Sequence, residues 1–212
     1  MLCGIDEAGR GPLAGPVTAA AVILPKGFDT SILKDSKKLS EKKREEAARI
    51  ILAAGSLWHV GLASNKKIDE INILQATLLA MKRAYEGLCK KAQAADVLQN
   101  SLQPLNIDVI VDGNVLPTIV HCRSLTAVVK ADDTVPEVMA ASIVAKVMRD
   151  KMMSRYARLY PEYGYEKHKG YGTQAHRKAI RLFGPSPIQR NSFSIKNEPP
   201  DQASSIIGGS DT

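Results

Sequence analysis

Apolar residues come first in short unbroken runs and later at helical spacing. Leu2 to Ile5 reads as a strand, and Val17 to Leu24 as a buried second strand close enough to pair with it in a hairpin. Pro25-Lys26-Gly27 ends that run. Ser40 is placed to cap a helix through Ala47, Ile51 and Leu52 that stops near Gly55, and Leu57 to Ala63 reads as a further strand. Ile71, Leu74, Leu78, Met81, Tyr85 and Leu88 then recur every three or four residues, which predicts an amphipathic helix with one core-facing stripe. Asn72 stands near its start, in a capping or supporting position. Gln93 to Asn106 is a polar connection interrupted by Pro104, with room for a helical extension.

Val109 to Val111 and Leu125 to Val129 read as strands. Thr134-Val135-Pro136-Glu137 has the Thr-x-x-Glu capping-box pattern and predicts a helix that buries Val138, Ala141, Ala145 and Met148 and extends toward Arg155. On that helix Arg149 and Asp150 read as ion-pairing surface residues. Gln174 to Phe183 forms a last helix, broken by Gly184-Pro185-Ser186-Pro187, and residues 197–212 are expected to be a disordered tail.

Charge adds a clue to the partner. The 212 residues carry a net +7, and because residues 197–212 hold three acids and no Lys or Arg, the first 196 carry +10. Such a domain suits a phosphate-rich polymer, whose condensed counterions are released by lysine and arginine, although basicity alone is not specific. Cys3, Cys89 and Cys122 are widely spaced and lack a Cys-x-x-Cys pair, which argues against a disulfide framework or a zinc site. A reducing compartment fits. With no apolar run of about 18 residues and no secretory pattern, the expectation is a cytoplasmic protein without membrane association.

Candidate chemistry begins at Gly4-Ile5-Asp6-Glu7-Ala8-Gly9-Arg10-Gly11-Pro12. Neighbouring side chains of an extended strand point to opposite faces, so Asp6 and Glu7 approach one cation only if the strand breaks, and Gly9 and Gly11 supply a break. A plain turn with exposed acids is the alternative. Asp112 repeats the pattern of an acid at a strand end, where ligands of open α/β sheets collect, so Asp6 and Asp112 on neighbouring strands would converge. Asp132 and Asp133 precede a helix whose small Ala140-Ala141-Ser142 permits close approach to the sheet, and either acid could serve the helix dipole instead. Tyr160, Tyr163, Tyr165 and Tyr171, interleaved with Lys167, His168 and Lys169, suit either nucleic acid or a packing patch. Ser36, Lys37 and Lys38 either contact phosphates or make a solvated face.

Five motifs in this order resemble type 2 ribonuclease H, the bacterial ribonuclease HII: Gly4 to Pro12, Asp35-Ser36-Lys37-Lys38-Leu39, Lys130-Ala131-Asp132, Ala140-Ala141-Ser142-Ile143-Val144-Ala145-Lys146, and Lys169-Gly170-Tyr171-Gly172-Thr173. The resemblance runs from residue 2 to about residue 195. It implies an α/β, ribonuclease H-like fold with a mixed central sheet flanked by helices and a small C-terminal helical region, residues 1–196 forming the catalytic domain. Implied activity is hydrolysis of the RNA strand of RNA–DNA hybrids and cleavage 5′ of single ribonucleotides in duplex DNA, giving 5′-phosphate and 3′-hydroxyl ends.

The resemblance further implies that Asp6, Glu7, Asp112 and Asp132 are the catalytic, metal-binding carboxylates, holding two Mg²⁺ or Mn²⁺ ions. Gly9, Arg10 and Gly11 become the sensor of the 2′-hydroxyl, Tyr171 the junction sensor, and Ser36 with Lys37 a phosphate-contacting pair. Partners are the RNA–DNA hybrid and ribonucleotide-containing duplex DNA, and a monomer is expected. Gln189-Arg190 stands where the family often has His-Arg and is expected to lie clear of the metal site. A resolvase of the same fold and a non-catalytic hybrid-binding module are the competing readings. A Rossmann site lacks its third glycine and has Pro12 where the helix should open.

Overall fold

The computed structural model describes residues 1–33, 39–94 and 106–194. Its strands are β1 (Leu2–Ala8), β2 (Val17–Ile23), β3 (Leu57–Ala63), β4 (Asp108–Asp112) and β5 (Ser124–Val128). Its helices are α1 (Glu41–Ala53), α2 (Asn65–Ala94), α3 (Pro136–Leu159), α4 (Tyr165–His168) and α5 (Gln174–Phe183). The strand order is β3-β2-β1-β4-β5. β2 returns antiparallel to β1 across the 9–16 loop and β3 pairs antiparallel with β2 after α1, whereas β4 follows the long α2 crossover and lies parallel to β1, with β5 parallel to β4.

Strand alternation sorts the apolar residues into two layers. Cys3, Ile5, Ala19, Ala21, Val109 and Val111 pack under α2 against Ala80, Met81 and Leu88. On the other face Ala20 and Val22 meet Ala47 and Ile51 of α1 and Ala140, Ala141 and Val144 of α3. A third cluster, including Leu13, Met153, Tyr163, Tyr165 and Ile180, builds the small C-terminal region. The flanked mixed sheet is therefore as the resemblance implied.

Two local expectations change. Helix α2 starts at Asn65, before the Ile71 stripe, and breaks at Asn72 (φ 65°, ψ 168°), whose Oδ1 accepts from Gln75 N at 3.1 Å. Asn72 does cap, but it restarts a helix rather than beginning one. The capping box at Thr134 does not form: Val135 is the N-cap, Pro136 opens α3, and Thr134 N donates to Ala131 O at 3.0 Å in the preceding turn. Proline fixes the helix start and holds Val135 extended, which moves the cap one residue past the Thr. The expected tail lies outside the described residues, as does most of the Gln93–Asn106 connection.

Candidate active site

Register brings the first two acids together. Ile5 pairs with Val111 in the parallel β1–β4 ladder, so Asp6 and Asp112 follow side by side at the carboxyl ends of their strands. Asp132 arrives from a short 3₁₀ turn, Ala131–Asp133, ahead of α3. That helix approaches β1 so closely that a Cβ on Gly4 would overlap the backbone of Glu137 and Val138. Small residues thus set the distance of the third acid. Asp6, Asp112 and Asp132 each offer a carboxylate oxygen, all within 4.8 Å of one another, and Asp6 and Asp132 are only 5% and 7% exposed.

Glu7 is not among the three carboxylates that share the 4.8 Å cluster, although its side chain is within hydrogen-bonding reach of Asp6 and feels the charge of Asp112. The break expected at Gly9 is there, at φ +96°, but β1 runs through Ala8 before it, so alternation still separates the directions of Asp6 and Glu7, and Arg10 Nη1 meets Glu7 Oε1 at 3.4 Å. Its charge is still felt. Burial, then the Glu7 charge, hold the Asp6 carboxyl well above the usual range, against opposing hydrogen bonds from the Ser142 side chain and Glu7 N. Burial raises Glu7 too, while Arg10 pulls it back. Three or four carboxylates crowded in a poorly hydrated corner repel one another, and an oxygen-liganded divalent cation removes that repulsion. The donor set fits Mg²⁺ or Mn²⁺.

A stability test follows from these signs. Carboxyls whose folded-state pKa is raised favour folding when protonated, so their contribution is complete below the unfolded carboxylate range and is lost as pH rises through the folded values. Metal-free protein should lose thermal stability as pH climbs toward neutrality. Adding Mn²⁺ should raise Tm more at about pH 8 than at about pH 5.5. Thermal melts with and without EDTA check this; equal metal-induced shifts at both pH values would contradict it.

The turn after β1 is held from beneath by two buried arginines, Arg149 and Arg190, both 0% exposed. Arg149 donates to the carbonyls of Ala14 (3.2 Å), Pro16 (3.1 Å) and Lys169 (3.0 Å). Arg190 donates to those of Gly9 (2.6 Å), Arg10 (2.9 Å), Gly15 (2.9 Å) and Pro16 (3.1 Å). Burial and the neighbouring Arg149 charge push the Arg190 pKa down to about 9, and burial lowers that of Arg149. The surface placement expected for Arg149 and Asp150 is therefore corrected: α3 passes under the 9–16 loop, and both are buried. Asp150 does make its ion pair, with Lys146 Nζ at 2.7 Å.

Above the turn lies a pocket of about 410 Å³, lined by Glu7, Gly9, Arg10, Gly11, Arg44, Ser142, Lys146 and Tyr171 among others. Tyr171 is 43% exposed, with Lys146 Nζ and Arg149 Cζ each 5.9 Å from its ring centroid. Its loop is braced by buried histidines. His176 Nδ1 donates to Tyr171 O at 3.0 Å, and His168, stacked on His176 at 4.5 Å, accepts from Gly170 N. Tyr163 and Tyr165 are buried and stacked at 5.5 Å, so the tyrosine-rich segment divides into packing residues and one pocket residue.

Asp6, Asp112 and Asp132 are thus assembled, with Glu7, Gly9, Arg10, Gly11 and Tyr171 beside them. Ser36 and Lys37 lie outside the described residues. Sequence reasoning missed Arg44, Arg149 and Arg190, and did not single out Ser142 or Lys146 within their motif. Arg190 lies clear of the acids as expected, but it holds the turn that follows Asp6 and Glu7. Gln189 alone fits the departure noted there.

Known proteins resemble this chain along most of its length. A family model described as ribonuclease HII matches residues 3–196. A ribonuclease HII of Treponema denticola is 66% identical over 200 residues, covering 93% of this chain and all of the relative. One from Neisseria meningitidis serogroup B is 45% identical, covering 92% of each. Among solved structures, the PCNA:RNase HII complex of Archaeoglobus fulgidus aligns with a TM-score of 0.66 at 27% identity, over 95% of this chain and 98% of that one. A Bst-RNase HIII solved with Mn²⁺ shares the fold at 20% identity and a TM-score of 0.65, over 86% of this chain and 62% of that one.

Proposed function

The chain belongs to the ribonuclease HII family of metal-dependent ribonucleases H, which cleave the RNA strand of RNA–DNA hybrids, and from that membership we propose that it also cuts 5′ of single ribonucleotides in duplex DNA, leaving 5′-phosphate and 3′-hydroxyl ends. One observation supports this reading above others. The acid triad adjoins a pocket whose walls combine an exposed glycine-bracketed backbone, an exposed tyrosine and three cations, Arg10, Arg44 and Lys146.

In this reading Asp6, Asp112 and Asp132, with Glu7 at their flank, hold two Mg²⁺ or Mn²⁺ ions. When bound, the ions supply Lewis-acid stabilisation of the phosphate and of the leaving oxygen and lower the pKa of water. Gly9 to Gly11 reads the 2′-hydroxyl, which both donates and accepts hydrogen bonds. Tyr171 offers a face on which a sugar at the ribose–deoxyribose junction can rest. Lys146, Arg44 and Lys37 neutralise backbone phosphates, and Ser36 donates a hydrogen bond to one. Residues 1–196 act as one catalytic domain, in a cytoplasmic monomer.

The test is a DNA duplex carrying one ribonucleotide, incubated with Mg²⁺ or Mn²⁺ beside an all-DNA duplex and an EDTA control. We expect cutting 5′ of the ribonucleotide, an intact all-DNA strand and no activity in EDTA. Cutting of both duplexes would replace the proposal with a general nuclease. Tight binding without any cutting would favour the hybrid-binding module.

A further inference from the structure

Arg190 has no carboxylate within salt-bridge distance among the described residues; its guanidinium is spent on four backbone carbonyls, those of Gly9, Arg10, Gly15 and Pro16. Burying a guanidinium costs several kcal/mol before hydrogen bonding offsets it. In a trans peptide the C=O of one residue and the N–H of the next point in opposite directions. With the Gly9 and Arg10 carbonyls drawn down onto Arg190, the N–H groups of Arg10 and Gly11 point away from it. Arg190 does not line the pocket, whereas Gly9, Arg10 and Gly11 do. Among the described residues, neither N–H donates to a backbone carbonyl.

We propose that Arg190 is a positioning residue for ribose discrimination: by fixing the carbonyls of Gly9 and Arg10 inward, it presents the N–H groups of Arg10 and Gly11 as a rigid donor pair for a 2′-oxygen in the pocket. The inference rests on the reading of Gly9 to Gly11 as the 2′-hydroxyl sensor and adds how that sensor is held. Arginine suits the task because its planar fork reaches carbonyls on both sides at once, Gly9 and Arg10 on one flank, Gly15 and Pro16 on the other. A lysine ammonium is a single point with three donors and cannot span them. The Arg149 guanidinium contributes from the side, packed so tightly against Gly9 that a Cβ there would overlap it.

The test pairs a protein change with a substrate change. Cleavage rates are measured on duplexes whose single ribonucleotide carries either 2′-OH or 2′-fluorine, a poor acceptor, for the parent, Arg190→Lys and Arg190→Gln. In the parent the 2′-OH substrate should be cut faster by about 10²-fold, the scale of one lost aligned donor. The variants should bring that ratio within about 5-fold, with KM nearly unchanged and Lys recovering less than a tenth of the parental kcat. A merely structural role would lower both rates together and leave the ratio as it was, and that result overturns the proposal.

Should both variants fail to fold, the parent still tests the donor pair that Arg190 is held to present. Backbone amide signals of Arg10 and Gly11 should shift on binding a ribonucleotide duplex in Ca²⁺ and stay in place with the all-DNA duplex. Identical shifts with both overturn it. Failure of the family activity would show separately, as a parent that does not cut the 2′-OH duplex at all.

Discussion

Asp6→Asn is expected to abolish cleavage while leaving the folded protein at least as stable as the parent at neutral and higher pH. Asp6 is 5% exposed, and burial together with Glu7 and Asp112 already opposes its ionisation. Asparagine keeps the shape and can still accept from Glu7 N, the 2.7 Å contact made by Oδ1, but it carries no charge for the other acids to repel. In EDTA at about pH 8, Tm should therefore hold or rise. Activity has the opposite dependence. The triad shares its oxygens within 4.8 Å, so losing the central anionic ligand weakens the hold on metal. A divalent ion supplies several kcal/mol of charge stabilisation, and at about 1.4 kcal/mol per decade the rate should fall by roughly 10³-fold or more. Binding to ribonucleotide-containing duplex should persist, since the cationic pocket is untouched. Residual cleavage within about 10-fold of the parent would remove Asp6 from the chemistry.

Gly9→Ala should be as damaging to activity and, unlike the first change, damaging to the fold. Gly9 adopts φ +96°, a conformation L-residues rarely reach, at a cost of about 1–3 kcal/mol. Its added methyl would also overlap the Arg149 guanidinium, and overpacking of this kind costs about 1–3 kcal/mol more. For a chain of this size each kcal/mol shifts Tm by about 2–4 °C, so a fall of roughly 5–15 °C is expected. Any relief requires Arg149 to move, which loosens the carbonyls of Ala14, Pro16 and Lys169 and with them the Tyr171 loop. Displacement of the turn by about 1 Å is enough for a 10²-fold loss of rate. Gly11→Ala is the informative contrast. Its Cβ would meet only Tyr171 Cε1 at 3.9 Å, so Tm should stay within about 2 °C of the parent while activity falls, if a ligand needs that space. Gly9→Ala with parental Tm and rate would refute the packing account.

Much of the fold was legible because strands and helices announce themselves locally. Apolar runs located β1 to β5, and three-to-four spacing located α2. Ser40 does cap α1, accepting from Lys43 N at 3.4 Å, while the close approach of α3 to β1 is permitted by Gly4 of the strand, where a Cβ would overlap the Glu137 and Val138 backbone. The convergence of Asp6 and Asp112 was readable for a related reason: parallel strands in one sheet end at one edge, so acids at strand ends meet there. Glu7 shows the limit of such reasoning. Its place beside Asp6 depends on how soon β1 ends, and β1 continues through Glu7 to Ala8 before the turn at Gly9.

The sequence by itself determined the alternating strands, the amphipathic helices, and which carboxylates stand at strand and helix ends, because these depend on periodicities that a short stretch of chain already contains. Tertiary structure alone decided that Arg149 and Arg190 are buried, that Tyr171 faces a pocket while Tyr163 and Tyr165 pack inside, and that Arg44 and Lys146 join residues more than thirty positions away from one of them. The physical reason is that the arginines' partners are backbone carbonyls, which every residue possesses. A guanidinium seeking carbonyls leaves no local pattern, and its burial becomes visible only when the 9–16 loop closes over it.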